Sequence, residues 1–94
     1  MSKEKIYKLV VDYLKKQNAS KISIFGSYAR NEETPHSDID LIVKFKDRKN
    51  LLELIDIESD LKEILGKKVD LLTEHSVDIK RKKYIDKDVQ VIWS

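Results

Sequence analysis

An α/β (α+β) fold, a small mixed β-sheet packed with helices, follows from four stretches of this chain. Ile6, Leu9, Val10, Tyr13 and Leu14 repeat at helical spacing, and DIDLIVKF at 38–45 alternates with a period of two. A second helical stripe, Leu54, Ile57, Leu61, Ile64 and Leu65, separates that run from another strand-like one, KVDLLT at 68–73. With 94 residues, the expectation is one domain over 1–94, with a real core but no room for a separate substrate-recognition domain.

Taken in order, residues 3–17 predict an amphipathic helix, with Ser2 as its cap and Glu4 in its first turn, and Asn18 ends it. KISIF at 21–25 is alternating and β-branched, a short buried strand that runs straight into Gly26-Ser27. Tyr28 to Arg30 predicts one helical turn, and NEETPHS, broken by Pro35, a loop. In the 38–45 strand, Ile39, Leu41, Val43 and Phe45 share one face, and Asp38, Asp40 and Ile42 the other. KDRK turns the chain, and Asn50 with Glu53 predicts a capping box for a helix to about residue 65 that Gly66 stops. After the 68–73 strand, Ser76 is placed to cap a basic helix through Tyr84, and VQVIW closes the chain as an edge strand.

Composition removes several function classes. There is no cysteine, which excludes disulfides, thiolate zinc sites and thiol nucleophiles. Nineteen basic against seventeen acidic residues leave a net charge of +2, without the footprint of a nucleic-acid-binding domain. The basic run KRKK at 80–83 is read as solvated helix charge, and Lys44 and Lys46 as decoration of a strand end. A charged start and the lack of any long apolar window predict a cytoplasmic protein with no membrane segment. Two glycines rule out both the GxGxxG turn and the glycine-lysine phosphate loop. His36 and His75 are too few and too far apart for an HExxH helix.

The chemistry gathers in GSYARNEETPHSDID, residues 26–40. Asp38 and Asp40, two apart on a strand, project from one face about 7 Å apart and repel unless a cation or a proton intervenes. Asp70, near the start of the next strand, reaches the same sheet edge if the two strands pair. Three carboxylates suit magnesium or manganese, and magnesium completes its octahedron with water and phosphate oxygens. Gly26 lets the backbone approach a phosphate, the Ser27 hydroxyl can donate to it, and the amides of the following turn point the same way. Arg30 has two readings, a phosphate clamp and a surface charge. A phosphate-gripping turn and a metal-gripping pair together are the layout of two-metal phosphoryl or nucleotidyl transfer.

Gly26-Ser27, ten residues, then Asp38-Ile39-Asp40 resembles the GS-x10-DxD signature of the DNA polymerase β-like nucleotidyltransferase superfamily, and GSYAR with TPHSDIDLIV resembles its smallest members, the minimal nucleotidyltransferases. Asp70 matches the family's third carboxylate, and the order of elements is similar over essentially the whole chain. Asn31 departs from the glycine that many relatives carry there, which is expected to alter the turn and leave the chemistry.

The resemblance implies that Asp38 and Asp40 hold both magnesium ions, one carrying the triphosphate and one activating the acceptor hydroxyl, with Asp70 completing the second site. It implies attack on the α-phosphorus of ATP with loss of pyrophosphate. Minimal nucleotidyltransferases resemble antitoxins encoded beside HEPN-domain ribonuclease toxins, and some transfer AMP to a tyrosine of the toxin. Such a partner would supply the acceptor site that the chain has no room for. Two other readings stand beside this one: a small-molecule nucleotidyltransferase, which normally carries an added helical domain, and an antitoxin that neutralises by occlusion. The oligomeric state is open.

Overall fold

A computed structural model describes residues 2–74 and 88–94. It contains, in chain order, α1 (Lys3–Lys16), β1 (Ala19–Phe25), β2 (Ile39–Phe45), α2 (Leu51–Leu65), β3 (Val69–Thr73) and β4 (Gln90–Trp93). The expected Ser76-capped helix, with the 80–83 run and Tyr84, lies outside the described residues.

The strands form one mixed sheet in the order β3-β2-β1-β4. β1 runs antiparallel to both β2 and β4, and β2 runs parallel to β3. That parallel pair needs a crossover, which α2 supplies. α1 packs against β1, α2 packs against β3, and the two helices touch each other. Between helices and sheet lie Ile6, Val10 and Leu14 of α1, Ile57, Leu61 and Leu65 of α2, and Ile22, Ile24, Ile39, Leu41, Val43 and Val69 of the strands. The α/β class and the closing edge strand are as the periodicity predicts.

Local chemistry sets the element ends. Ser2 accepts from the Lys5 amide at 3.2 Å and caps α1. Asn18 takes a left-handed backbone, φ 68°, which asparagine tolerates better than most residues, and so turns the chain out of α1. Asn50 and Glu53 form the reciprocal capping box of α2, and Gly66, left-handed at φ 63°, closes it.

Four details depart from the sequence reading. β1 starts two residues early, because Ala19 pairs with Phe45 across a register shift between Ala19 and Lys21 that alternation cannot show. Residues 28–30 form turns instead of a helix. The α1, β2 and β3 boundaries each move in by one residue. Ile64 is 40 % exposed, because a buried stripe at spacing four (Ile57, Leu61, Leu65) rotates about 40° per step and leaves Ile64 at its margin.

Candidate active site at the sheet edge

The strand register builds the site. Phe25 at the end of β1 stands opposite Asp40 of β2, and Asp40 stands beside Asp70 of β3. Residues paired across neighbouring strands share a face, so the parallel β2–β3 pairing brings both carboxylates to one row at one end of the sheet. The chain leaves that row at Gly26, where φ is 75°. A Cβ at Gly26 would collide with Oδ2 of Asp40, and its left-handed backbone independently disfavours any side chain. Gly26 therefore lets the turn close directly onto the Asp40 carboxylate.

The turn after Gly26 is tightly bonded. The Arg30 amide donates to the Gly26 carbonyl at 3.1 Å, and the Glu32 amide to the Ser27 carbonyl at 2.9 Å. Tyr28, only 3 % exposed, anchors it in the core. Asn31 is left-handed at φ 59°, which gives the physical reason that glycine suits this position. The loop is clamped from both sides. Lys3 of α1 reaches Glu33 at 2.9 Å and the Asn31 side chain, and Lys67 donates to the Pro35 carbonyl at 2.8 Å. Sequence reasoning missed both clamps, since nothing local marks a lysine that acts about thirty positions away.

Asp40 carries the electrostatic signature. Its pKa is pushed up to about 6, first by burial, then by a hydrogen bond with Asp70 and by the negative charges of Asp70 and Asp38, with Arg30 opposing. Two crowded carboxylates make a hard-oxygen donor pair suited to a divalent cation. Asp38 stands differently. It precedes β2, and its Oδ2 lies 3.9 Å from Nζ of Lys68, both side chains being largely exposed. Among the described residues no three His, Cys, Asp or Glu side chains converge as a metal cluster. The structure thus joins Asp40, Asp70 and Gly26, with Ser27 half-buried beside them, while Asp38 reaches Asp40 through charge alone. Arg30 is tied to Glu32 at 3.2 Å and Asp88 at 3.3 Å, exposed pairs of small energetic worth.

A cavity of about 580 Å3 opens at the opposite end of β2, around residues 43–49, and holds none of the six site residues. Among the described residues, no helix is long and apolar enough to cross a membrane.

Known proteins resemble this chain in sequence and in fold. Residues 8–94 match the family described as polymerase beta, nucleotidyltransferase. A provisionally named protein adenylyltransferase of Methanocaldococcus jannaschii is 44 % identical over 77 residues, covering 82 % of this chain and 83 % of the relative. Among solved structures, a toxin-antitoxin crystal structure with AMP-PNP superposes with a TM-score of 0.84 at 21 % identity, covering 94 % of this chain and 73 % of the other. A tri-AMPylated HEPN toxin of Shewanella oneidensis in complex with MNT antitoxin superposes with a TM-score of 0.82 at 19 % identity, covering 99 % and 73 %. At those identities the two structures establish the shared fold.

Proposed function

This chain belongs to the polymerase beta nucleotidyltransferase family, and on that premise we propose that it transfers AMP from ATP to a hydroxyl of a partner HEPN-type toxin, a tyrosine, and so acts as an antitoxin. The observation that carries the reading is the register that sets Asp40 beside Asp70, with Gly26 closed onto Asp40. The relative that is named a protein adenylyltransferase supports the reaction class. The AMPylated toxin held by its antitoxin supports the kind of acceptor.

In this reading Asp40 and Asp70, joined by Asp38 once it leaves Lys68, would hold two magnesium ions, with manganese an acceptable substitute. Bound there, the metal supplies charge neutralisation for the triphosphate and lowers the pKa of the acceptor hydroxyl. The protein's own groups do the rest. Amides of the turn after Gly26 and the Ser27 hydroxyl grip phosphate oxygens, and Arg30 joins them by exchanging its exposed carboxylate partners for phosphate. The acceptor hydroxyl gives its proton up to solvent, its oxygen forms a bond to the α-phosphorus as the bond from that phosphorus to the α–β bridging oxygen breaks, and pyrophosphate leaves. The partner holds the hydroxyl at the sheet edge, which converts the encounter into a positioned reaction.

A second reading is neutralisation by occlusion, favoured by the pairing of Asp38 with Lys68 away from the Asp40–Asp70 pair. One experiment separates them. The chain is incubated with its neighbouring gene product, magnesium and ATP labelled on the α-phosphate, and intact mass is followed. Gain of AMP units on the partner, lost in Asp38→Asn while the complex still forms, is the expected result. Protection of cells by Asp38→Asn and Asp40→Asn equal to that of the parent chain would overturn transfer in favour of occlusion.

A further inference from the structure

We propose that the cavity at the carboxyl end of β2 is a second ligand site, distinct from the carboxylate edge, that binds a phosphorylated small molecule of about mononucleotide size. Its volume of about 580 Å3 falls within the range of small-ligand pockets, roughly 300–1,000 Å3. Its lining divides by chemistry. Phe45 and Leu54, both part-exposed, give an apolar wall, while Lys44, Lys46, Arg48 and Lys49 give four cations.

Pairing within the lining leaves positive charge over. Asp47 is engaged by Lys49 at 2.9 Å, and Glu74 by Lys21 at 3.6 Å. Lys44, Lys46 and Arg48 show no ion pair among the described residues, and all three are exposed at the rim. Three uncompensated cations around a concave mouth concentrate anions by focusing the field into it.

Lys49 is the built part of the site. Its side chain is 8 % exposed, held between Asp47 and the Phe45 ring, whose centroid lies 5.5 Å from Nζ. A lysine fixed in this way loses little side-chain entropy when an anion arrives. A monovalent carboxylate would leave most of the rim cations unmatched. A phosphate ester carrying a ring satisfies both cations and wall, the phosphate on the rim and the ring against Phe45 and Leu54.

The site lies at the other end of the strand from Asp40, so the two can be read separately. Amide NMR spectra of the full chain would be followed in EDTA, which keeps divalent metal away from the carboxylates, during titration with AMP and with pyrophosphate. The expected result is saturable shifts confined to residues 43–49 and 73–74. The triple variant Lys44→Ala, Lys46→Ala, Arg48→Ala should weaken AMP binding by about ten-fold or more, while Asp40→Asn leaves it unchanged. All three substituted side chains are exposed, so the variant should keep its dispersed spectrum.

Shifts confined to residues 26–40, or no saturation at millimolar ligand, would overturn the proposal. So would a variant that binds as the parent chain does. Binding of a single-stranded oligoribonucleotide without binding of AMP would overturn the ligand class, and would show a steep salt dependence.

Discussion

The two ends of β2 carry opposite charge on one seven-residue strand. At its start, acids crowd together: Asp40 lies beside Asp70, and its pKa is pushed up to about 6. At its end, Lys44, Lys46, Arg48 and Lys49 surround an open cavity in which the acids are already paired. Burial makes the crowding of like charge costlier at the acidic end. Like charges held together without a counter-ion lower stability, and a fold keeps such an arrangement where chemistry needs it. The basic end has paired acids and exposed cations, at little cost to the fold.

The strongest way to break this contrast is Asp40→Asn. If the acidic end holds the reacting groups, the substitution removes transfer by about a thousand-fold or more, equivalent to roughly 4 kcal/mol. Labelled AMP on the partner is the measurement, and near-parent turnover would contradict the assignment. The same variant should fold better than the parent without metal.

Gly26→Ala comes next. Its left-handed φ of 75° and the collision with Asp40 should together cost about 2 kcal/mol of stability, read by urea denaturation. Gly66 is left-handed too, yet a Cβ there would meet nothing within 4 Å. Gly66→Ala should therefore cost less, about 1 kcal/mol, and equal losses would mean that the Asp40 contact contributes nothing.

The pH dependence sharpens the comparison in a third way. Asp40 in the folded protein keeps its proton to about pH 6 against an ordinary 3.8, so the folded state binds more protons across that interval. Its contribution is fully present below pH 3.8 and is lost as pH rises through 6. Metal-free parent protein should lose stability relative to Asp40→Asn between pH 4 and 7. After discounting for partial exposure, the difference should reach about 1 kcal/mol. A constant difference across that range would show that Asp40 titrates normally.

How much of this was legible depends on range along the chain. The Asp40–Asp70 row follows from two alternating runs and the expectation that they pair, because a period of two fixes which side chains share a face. Both caps of α2 were readable, since Asn50, Glu53 and Gly66 act on neighbouring backbone. Ala19 and Ser20 gave no strand signal, because their place in β1 comes from tertiary pairing with β2, not from propensity. The separation of Asp38 from the other two carboxylates was hidden for a similar reason. Alternation puts Asp38 on the face of Asp40, but the residue lies just outside the strand and faces Lys68, which the sequence leaves thirty positions away. The cavity was hidden as well: its cations all fall within residues 44–49 and look like solvated charge until Leu54 and Thr73 are brought against them.

The smallest expected effect is also the most local. Lys68 and Asp38 are 3.9 Å apart and largely exposed, so Lys68→Ala should change stability by no more than about 0.5 kcal/mol. It does remove a positive charge beside the acid cluster, so the Asp40 titration midpoint, followed by carboxyl NMR, should move up from about 6. Lys44→Ala removes the same charge from the same face of the same strand, four residues on, or about 13 Å. That distance exceeds the Debye length of about 8 Å at physiological salt, so the midpoint should stay where it is. If both variants moved Asp40 equally, the two ends of β2 would form one electrostatic unit, and a ligand at the basic end would alter the proton affinity at the acidic one. If only Lys68→Ala moves it, the ends are independent, and occupancy of the basic cavity reaches the carboxylates only through the backbone of β2.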